Sequence, residues 1–285
     1  MKFTFARRNV DLSLTKVIGV LKIDPADLKD IATYKAKASA MASAGVDFIE
    51  LGINNTVQEK ISCDEQADLI LPLLRELRLS QKVVFGVRTS DPKCMILAAK
   101  AGADFFVDPD ALKEPDAAQT LSKLGLPVII SANEVALQSD PVSAVQDFFY
   151  ERIDHCLNAG MSRRQLMLDP FYGNILRADS ALKLLGRIQA LKSFALPLCL
   201  TVPESLPFDS GENNNLSNVA GLTAGLYCAS HGVNLIRSAN PENLCLALGT
   251  WQLISNKAKP YQLSKGIVRR FIRMRDAFKL KHKRN

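Results

Sequence analysis

Three histidines, His155, His231 and His282, and a single tryptophan are all that 285 residues contain of those two types. Histidines this few and this dispersed do not make a histidine metal site. The six cysteines, Cys63, Cys94, Cys156, Cys199, Cys228 and Cys245, include no C-x-x-C pair. They read as buried free thiols in a reducing cytoplasm, which excludes a disulfide scaffold or a zinc ribbon. No run approaches the ~18 uninterrupted apolar residues that a membrane span needs. The opening Met1-Lys2-Phe3-Thr4-Phe5-Ala6-Arg7-Arg8 lacks the apolar stretch of a signal peptide. A cytoplasmic protein without a membrane span is therefore expected. A Gly-x-Gly-x-x-Gly turn is missing after the first apolar run, which argues against an open, doubly wound dinucleotide-binding sheet. No internal repeat is present.

What the chain does have is eight short apolar runs at intervals of roughly 20–40 residues. They are Val17–Leu21, Phe48–Gly52, Val83–Val87, Phe105–Val107, Val128–Ile130, Leu166–Asp169, Leu198–Val202 and Val233–Arg237. Each is too short for a buried helix and rich in β-branched residues, so each predicts a buried strand. Helical stretches separate them. Strands apolar on both faces and joined through helices form parallel sheets. Eight such units in a chain of this length predict an α/β fold, a single-domain (β/α)8 barrel. An apolar fraction of 47% suits one large core. In such a barrel, chemistry sits just beyond the C-terminal end of each strand.

The net charge of +7 is unevenly placed. Residues 265–285 hold nine of the 36 basic residues and one of the 29 acids, which leaves 27 bases against 28 acids in residues 1–264. The sequence thus divides into a nearly neutral barrel, 1–264, and a basic segment, 265–285. Within that segment Ile267, Phe271, Met274 and Phe278 recur at spacings of four, three and four, which places them on one face of a helix. Two readings stay open. The apolar stripe can dock on the barrel as a final helix. Alternatively Arg269, Arg270, Arg273, Arg275, Lys279, Lys281, Lys283 and Arg284 can meet nucleic acid, an acidic partner or anionic lipid.

Polar groups gather where the runs end. These are Lys22-Ile23-Asp24, Asn54-Asn55-Thr56-Val57, Arg88-Thr89-Ser90-Asp91, Asp108-Pro109-Asp110, Ser131-Ala132-Asn133-Glu134, Asp169-Pro170-Phe171-Tyr172-Gly173-Asn174, Pro203-Glu204-Ser205 and Arg237-Ser238-Ala239-Asn240. A site at that face is expected. Phe208 to Asn215 forms a polar, Gly/Asn-rich loop beyond the seventh run. Trp251 sits in an apolar stretch and reads as core packing, and Asp30 and Asp64 read as solvated carboxylates at helix ends or loops.

Four segments in order, over about residues 3–255, carry a resemblance to the dihydropteroate synthase family. Val17-Ile18-Gly19-Val20-Leu21-Lys22-Ile23-Asp24-Pro25 is similar to that family's M-G-I-L-N-V-T-P-D. Ala44-Gly45-Val46-Asp47-Phe48-Ile49-Glu50-Leu51-Gly52 resembles A-G-A-x-x-I-D-I-G. Leu168-Asp169-Pro170 with Gly173 resembles L-D-P-G-x-G-F, and Gly232-Val233-Asn234-Leu235-Ile236-Arg237 resembles G-A-x-I-I-R. The resemblance implies a pterin-binding barrel of folate synthesis, a transferase that joins a pterin-methyl diphosphate to p-aminobenzoate. It also implies Mg2+ if that activity is retained, and a homodimer built through C-terminal barrel helices. It assigns Asp169 to the amino-pyrimidine edge of the pterin.

The resemblance breaks at the residues that would do this chemistry. Lys22 stands where the family has an asparagine that helps bind diphosphate and metal. Asn54-Asn55-Thr56-Val57 replaces Glu-Ser-Thr-Arg. Arg88 replaces the pterin-holding aspartate, Val107 an asparagine, Pro203-Glu204-Ser205 a Ser-Arg-Lys, and Arg237-Ser238-Ala239 an Arg-x-His. Departure of diphosphate needs donors and cations around the leaving oxygens, and even one such donor is worth about 10²–10³ in rate. The sequence therefore points to a divergent paralogue that lacks the synthase activity and binds a ligand or partner. The alternative is an authentic but unusual synthase. A methyltetrahydrofolate methyltransferase-like barrel is a third reading, although that class also relies on pterin-holding aspartate and asparagine positions. The candidate site residues are Asp169, Arg237, Lys22, Arg88, Asn54, Thr56 and Asp108, with no catalytic residue assigned. Two arrangements are expected for the vacated pocket. One is an Arg88–Asp169 ion pair across the barrel mouth, because opposite buried charges compensate each other. The other is an anion site for a pterin or other anionic small molecule made by Lys22, Arg88 and Arg237.

Overall fold

The structure, a computed structural model, describes residues 1–6, 8–25, 31–53, 62–132, 140–170, 178–202 and 214–255. Asn54, Thr56, Asp30, the loop through Asn213 and the basic segment 265–285 lie outside them.

The chain opens with a hairpin, β1 (Lys2–Phe5) and β2 (Arg8–Asp11), and then alternates strand and helix. The succession is β3 (Lys16–Ile23), α1 (Ile31–Ala44), β4 (Phe48–Ile53), α2 (Cys63–Ser80), β5 (Val84–Arg88), α3 (Pro92–Ala101), β6 (Phe105–Asp108) and α4 (Ala117–Leu124). It continues through β7 (Val128–Ser131), α5 (Pro141–Asn158), β8 (Leu166–Asp169), α6 (Ala178–Gly186), β9 (Cys199–Thr201), α7 (Asn214–Ser230), β10 (Leu235–Ser238) and α8 (Pro241–Ile254). The eight strands β3–β10 form one parallel sheet in the order β8-β7-β6-β5-β4-β3-β10-β9. A bridge between Leu168 and Leu198 joins the two ends, so the sheet closes as a (β/α)8 barrel. All eight apolar runs are strands, with ends displaced by no more than two residues.

Local chemistry starts and stops the helices where the topology needs them. At α2, Ser62 accepts from the Glu65 amide while the Glu65 carboxylate accepts from the Ser62 amide. Asp91 and Asp140 cap α3 and α5, each followed by a proline in the first turn. Gly102 ends α3 at φ 108°, a conformation that a side chain would strain. Asp64 lies exposed in the first turn of α2, a solvated helix-end carboxylate as expected. Trp251 is half-buried on α8 and packs against the main core.

Alternation along each strand separates two cores. Val17, Leu21, Ile49, Leu51, Phe85, Val87, Phe106, Ile130, Leu168, Leu200 and Ile236 face outward and pack with the helices. Ile18, Phe48, Val84, Phe105, Val107, Ile129, Met167, Cys199 and Leu235 face inward. The hairpin, which the run pattern did not announce, closes the bottom of that inner core with Phe3, Phe5 and Leu12. Phe5 meets Phe48 at 4.8 Å and Phe105 at 5.7 Å between ring centroids, both edge-on. Each such pair adds about 0.5–1.5 kcal/mol beyond its buried area. Gly86 makes this packing possible, since a Cβ there would lie 2.3 Å from Phe105 Cζ.

Candidate functional site

Because the inward positions are now known, the residues at the C-terminal mouth follow from the strand register. They are Lys22 on β3, Glu50 and Gly52 on β4, Arg88 on β5, Val107 on β6, Ser131 on β7, Asp169 on β8, Thr201 on β9 and Arg237 on β10. Seven of the eight strands thus bring a polar side chain to one end of an otherwise apolar interior.

Arg237 organises the deeper half of this ring. It is 2% exposed and forms a two-toothed pair with Glu50, Nε to Oε2 at 2.7 Å and Nη2 to Oε1 at 2.6 Å. Its Nη1 donates to Asp169 Oδ2 at 3.1 Å and to Thr201 Oγ1 at 2.6 Å. The Thr201 hydroxyl in turn donates to Asp169 Oδ2. Glu50 and Asp169 are fully buried. Burial opposes the charge on Arg237, but the carboxylate of Glu50, and then that of Asp169, more than offsets it. Its pKa is raised well above the ordinary arginine value.

This arrangement corrects the expected Arg88–Asp169 pair: the cation on Asp169 is Arg237. The reason is positional. Arg237 rises from β10 at the depth of Glu50 and Asp169, whereas Arg88 is a rim residue whose Nη2 donates to the Ile53 carbonyl at 3.1 Å. The same geometry removes Arg237 from the expected three-cation anion site, because its guanidinium is already held by four bonds within the protein.

Asp108 also stands apart. It follows the inward Val107 on β6 and so faces outward. Its carboxylate accepts from Ser90 Oγ at 2.7 Å, the Asp110 amide at 2.8 Å and the Leu112 amide at 3.2 Å. Arg152 holds the same loop from below by donating to the carbonyls of Ala111 and Leu112, each at 2.8 Å. Asp108 therefore shapes the β6–α4 connection, where Ala111 and Leu112 take positive φ angles of 52° and 59°. Burial pushes its pKa up to about 7, against the opposing effect of the Ser90 hydrogen bond.

Three members of the ring, Glu50, Thr201 and Ser131, were not among the sequence candidates. Glu50 did leave a trace, as the one charged residue inside Phe48–Gly52. Ser131 lies beside Asp169 in the register and is 1% exposed. Its hydroxyl has no hydrogen-bond partner, the single such buried side-chain atom among the described residues. Among the described residues of the mouth, Lys22 brings a positive charge to the position where the resemblance places a metal-orienting asparagine. Among the described residues no three His, Cys, Asp or Glu side chains gather to hold a metal ion.

A closed parallel barrel whose polar groups converge at the strand C-termini belongs to the class of barrels that bind small molecules at that face. Residues 22–238 match the pterin binding enzyme family, and the chain belongs to it. Its relatives include the dihydropteroate synthase of Escherichia coli K12, 27% identical over 257 residues, covering 83% of this chain and 90% of the relative. The enzyme of Haemophilus influenzae is 29% identical over 189 residues, 61% of this chain and 69% of that one. Among solved structures, Yersinia pestis dihydropteroate synthase in a sulfonamide drug complex superposes with a TM-score of 0.83 at 23% identity, covering 90% of this chain and all of that one. The Xanthomonas albilineans enzyme in complex with 7,8-dihydropteroate gives 0.81 at 24% identity, covering 89% and 98%. The expected family and fold are thus found, and no helix among the described residues is long and apolar enough to cross a membrane.

Proposed function

We propose that this chain is a divergent member of its family that has lost the synthase reaction and keeps the barrel mouth as a small-molecule binding site. The observation that carries this reading is the state of Arg237. It is the one strand-eight group that the resemblance preserves, and it is bound by Glu50, Asp169 and Thr201 through four hydrogen bonds. Four of its five N–H donors are so committed, which leaves at most one for a departing diphosphate. The Glu50 position matches an aspartate in A-G-A-x-x-I-D-I-G, and the additional methylene lengthens the reach toward Arg237. Asp169, the pterin acceptor in the resemblance, accepts from Thr201 and Arg237 in the same cluster. Lys22 and Arg88 complete the change of charge at the rim.

The test is a single-turnover assay with 6-hydroxymethyl-dihydropterin diphosphate, p-aminobenzoate and Mg2+. Loss of two or more preorganised donors predicts a rate at least about 10⁴-fold below that of the E. coli relative. Product formed within tenfold of that relative would overturn the proposal. It would instead support the second reading, an authentic synthase, which the 27% identity to the E. coli enzyme over 90% of its length favours. A homodimer and an acidic or nucleic-acid partner for residues 265–285 belong to the same proposal. Sedimentation tests the first. Salt-dependent RNA binding, lost on removing those residues, tests the second.

A further inference from the structure

At the end of the barrel opposite the mouth, a cavity of about 510 Å³ lies between the hairpin and the C-terminal ends of α2, α3 and α4. Among the described residues that line it, three are cations: Arg8 on β2, Arg78 in the last turn of α2 and Lys100 in the last turn of α3. One is an acid, Asp104, which is buried and accepts from Arg78 Nη1 at 2.7 Å and from the Phe85 amide at 2.9 Å. The lining therefore carries an excess of positive charge. Leu124 and Leu126, both half-buried, add an apolar wall.

The three cations keep donors to spare. Arg8 uses its Nη1, which donates to the carbonyls of Lys82 at 2.9 Å and Val83 at 3.1 Å. Arg78 uses its Nη1 on Asp104, and its guanidinium carbon lies 5.9 Å from the centroid of the Phe85 ring. Among the described residues, the Nε and Nη2 groups of both arginines and the ammonium of Lys100 make no hydrogen bond. Cations in the last turn of a helix can serve its terminal carbonyls. Here those carbonyls have backbone partners. Leu77 accepts from the Gln81 amide, Ala98 and Ala99 from the Gly102 amide, and Leu121 from the Gly125 amide.

We propose that this cavity at the bottom of the barrel binds a small organic anion, with Arg8, Arg78 and Lys100 on its carboxylate or phosphate and Leu124 and Leu126 against its apolar body. The volume falls within the range of roughly 300–1,000 Å³ common to small-molecule pockets. A guanidinium offers a planar fork to a carboxylate or phosphate, and a lysine adds a mobile point charge. The site lies across the barrel from Arg237, so it depends on neither the loss nor the retention of synthase chemistry at the mouth.

Titration of the full chain with phenyl phosphate and with benzoate at low ionic strength tests this, with inorganic phosphate and acetate beside them and amide chemical shifts as the readout. Saturable binding is expected, with shifts at residues 8, 78, 100 and 102–104. Arg8→Gln should weaken it about tenfold, the scale of one lost charge-assisted hydrogen bond. Lys100→Glu reverses a charge at an exposed helical position and should weaken binding several-fold at low salt, less so at high salt. Thermal unfolding confirms the fold of both variants. Phenyl phosphate should bind tighter than inorganic phosphate, and benzoate tighter than acetate, because the ring buries apolar surface on the leucine wall. Phenyl phosphate bound tighter than benzoate identifies a phosphate ligand, and the reverse a carboxylate. Absence of saturation up to about 10 mM overturns the site. So do shifts confined to the mouth, binding indifferent to both Arg8→Gln and Lys100→Glu, or equal affinity for the aryl and the simple anions.

Discussion

Removing Glu50 tests how the interior of this barrel tolerates charge. In Glu50→Ala the two-toothed partner of Arg237 disappears, while its bonds to Asp169 and Thr201 remain at the same buried position. Breaking a buried pair from one side costs about 3–5 kcal/mol, because the remaining charge stays desolvated. A cavity beside Arg237 adds to that. Each kcal/mol lowers Tm by about 2–4 °C in domains of 150–250 residues, so a drop on the order of 10 °C is expected. Glu50→Gln preserves shape and one acceptor oxygen and should cost less than Glu50→Ala. The assay is urea unfolding at neutral pH, supplemented by a double-mutant cycle with Arg237→Gln. The cycle should give a coupling energy above about 2 kcal/mol, since once Glu50 is gone the loss of Arg237 removes an uncompensated charge. A Glu50→Ala cost below about 1 kcal/mol, or additive effects in the cycle, would refute the argument that this pair compensates its own burial. The Arg237 geometry would then no longer support the proposed loss of synthase activity.

Two further outcomes follow from the packing and from the strongly raised carboxylate of Asp108. Gly86→Ala places a methyl 2.3 Å from the Phe105 ring and should destabilise the protein by about 3 kcal/mol in urea unfolding, with much of that recovered in Gly86→Ala/Phe105→Leu; a neutral Gly86→Ala would show that the inner aromatic layer has slack. Asp108 has a pKa of about 7 in the folded chain against 3.8 for an unperturbed aspartate, so between those values the folded state holds more protons than the unfolded one. The contribution of this group therefore falls as pH rises through that window, by up to about 4 kcal/mol, and is constant on either side. Asp108→Asn should flatten that segment of a stability profile measured from pH 4 to 8, and an unchanged slope would place the pH dependence elsewhere.

The barrel was legible in the chain because its physical causes are local and repeated. Runs such as Val128–Ile130 are too short for a helix and too apolar for an edge strand, and caps such as Asp91-Pro92 and Asp140-Pro141 mark where helices begin. The family was legible for a related reason: four segments occur in order at fold-determined spacings. The hairpin of β1 and β2 was less visible, since four-residue strands give little periodicity, and its role as a plug depends on Phe48 and Phe105, far along the chain. The site was legible as a set of residue types but not as a set of pairs. Lys22, Arg88, Asp169 and Arg237 could each be assigned to the mouth from position alone. Which cation met Asp169 depended on depth along the barrel axis and on Glu50, 187 residues before Arg237. Asp108 shows the same limit at the scale of a single residue. It ends a strand, as a site residue would, but one step of alternation turns it outward. Sequence by itself thus determined the architecture and the ring of polar strand ends. Tertiary structure alone decided how the charges pair, because Coulomb energy and desolvation depend on distances between strands that no local pattern encodes.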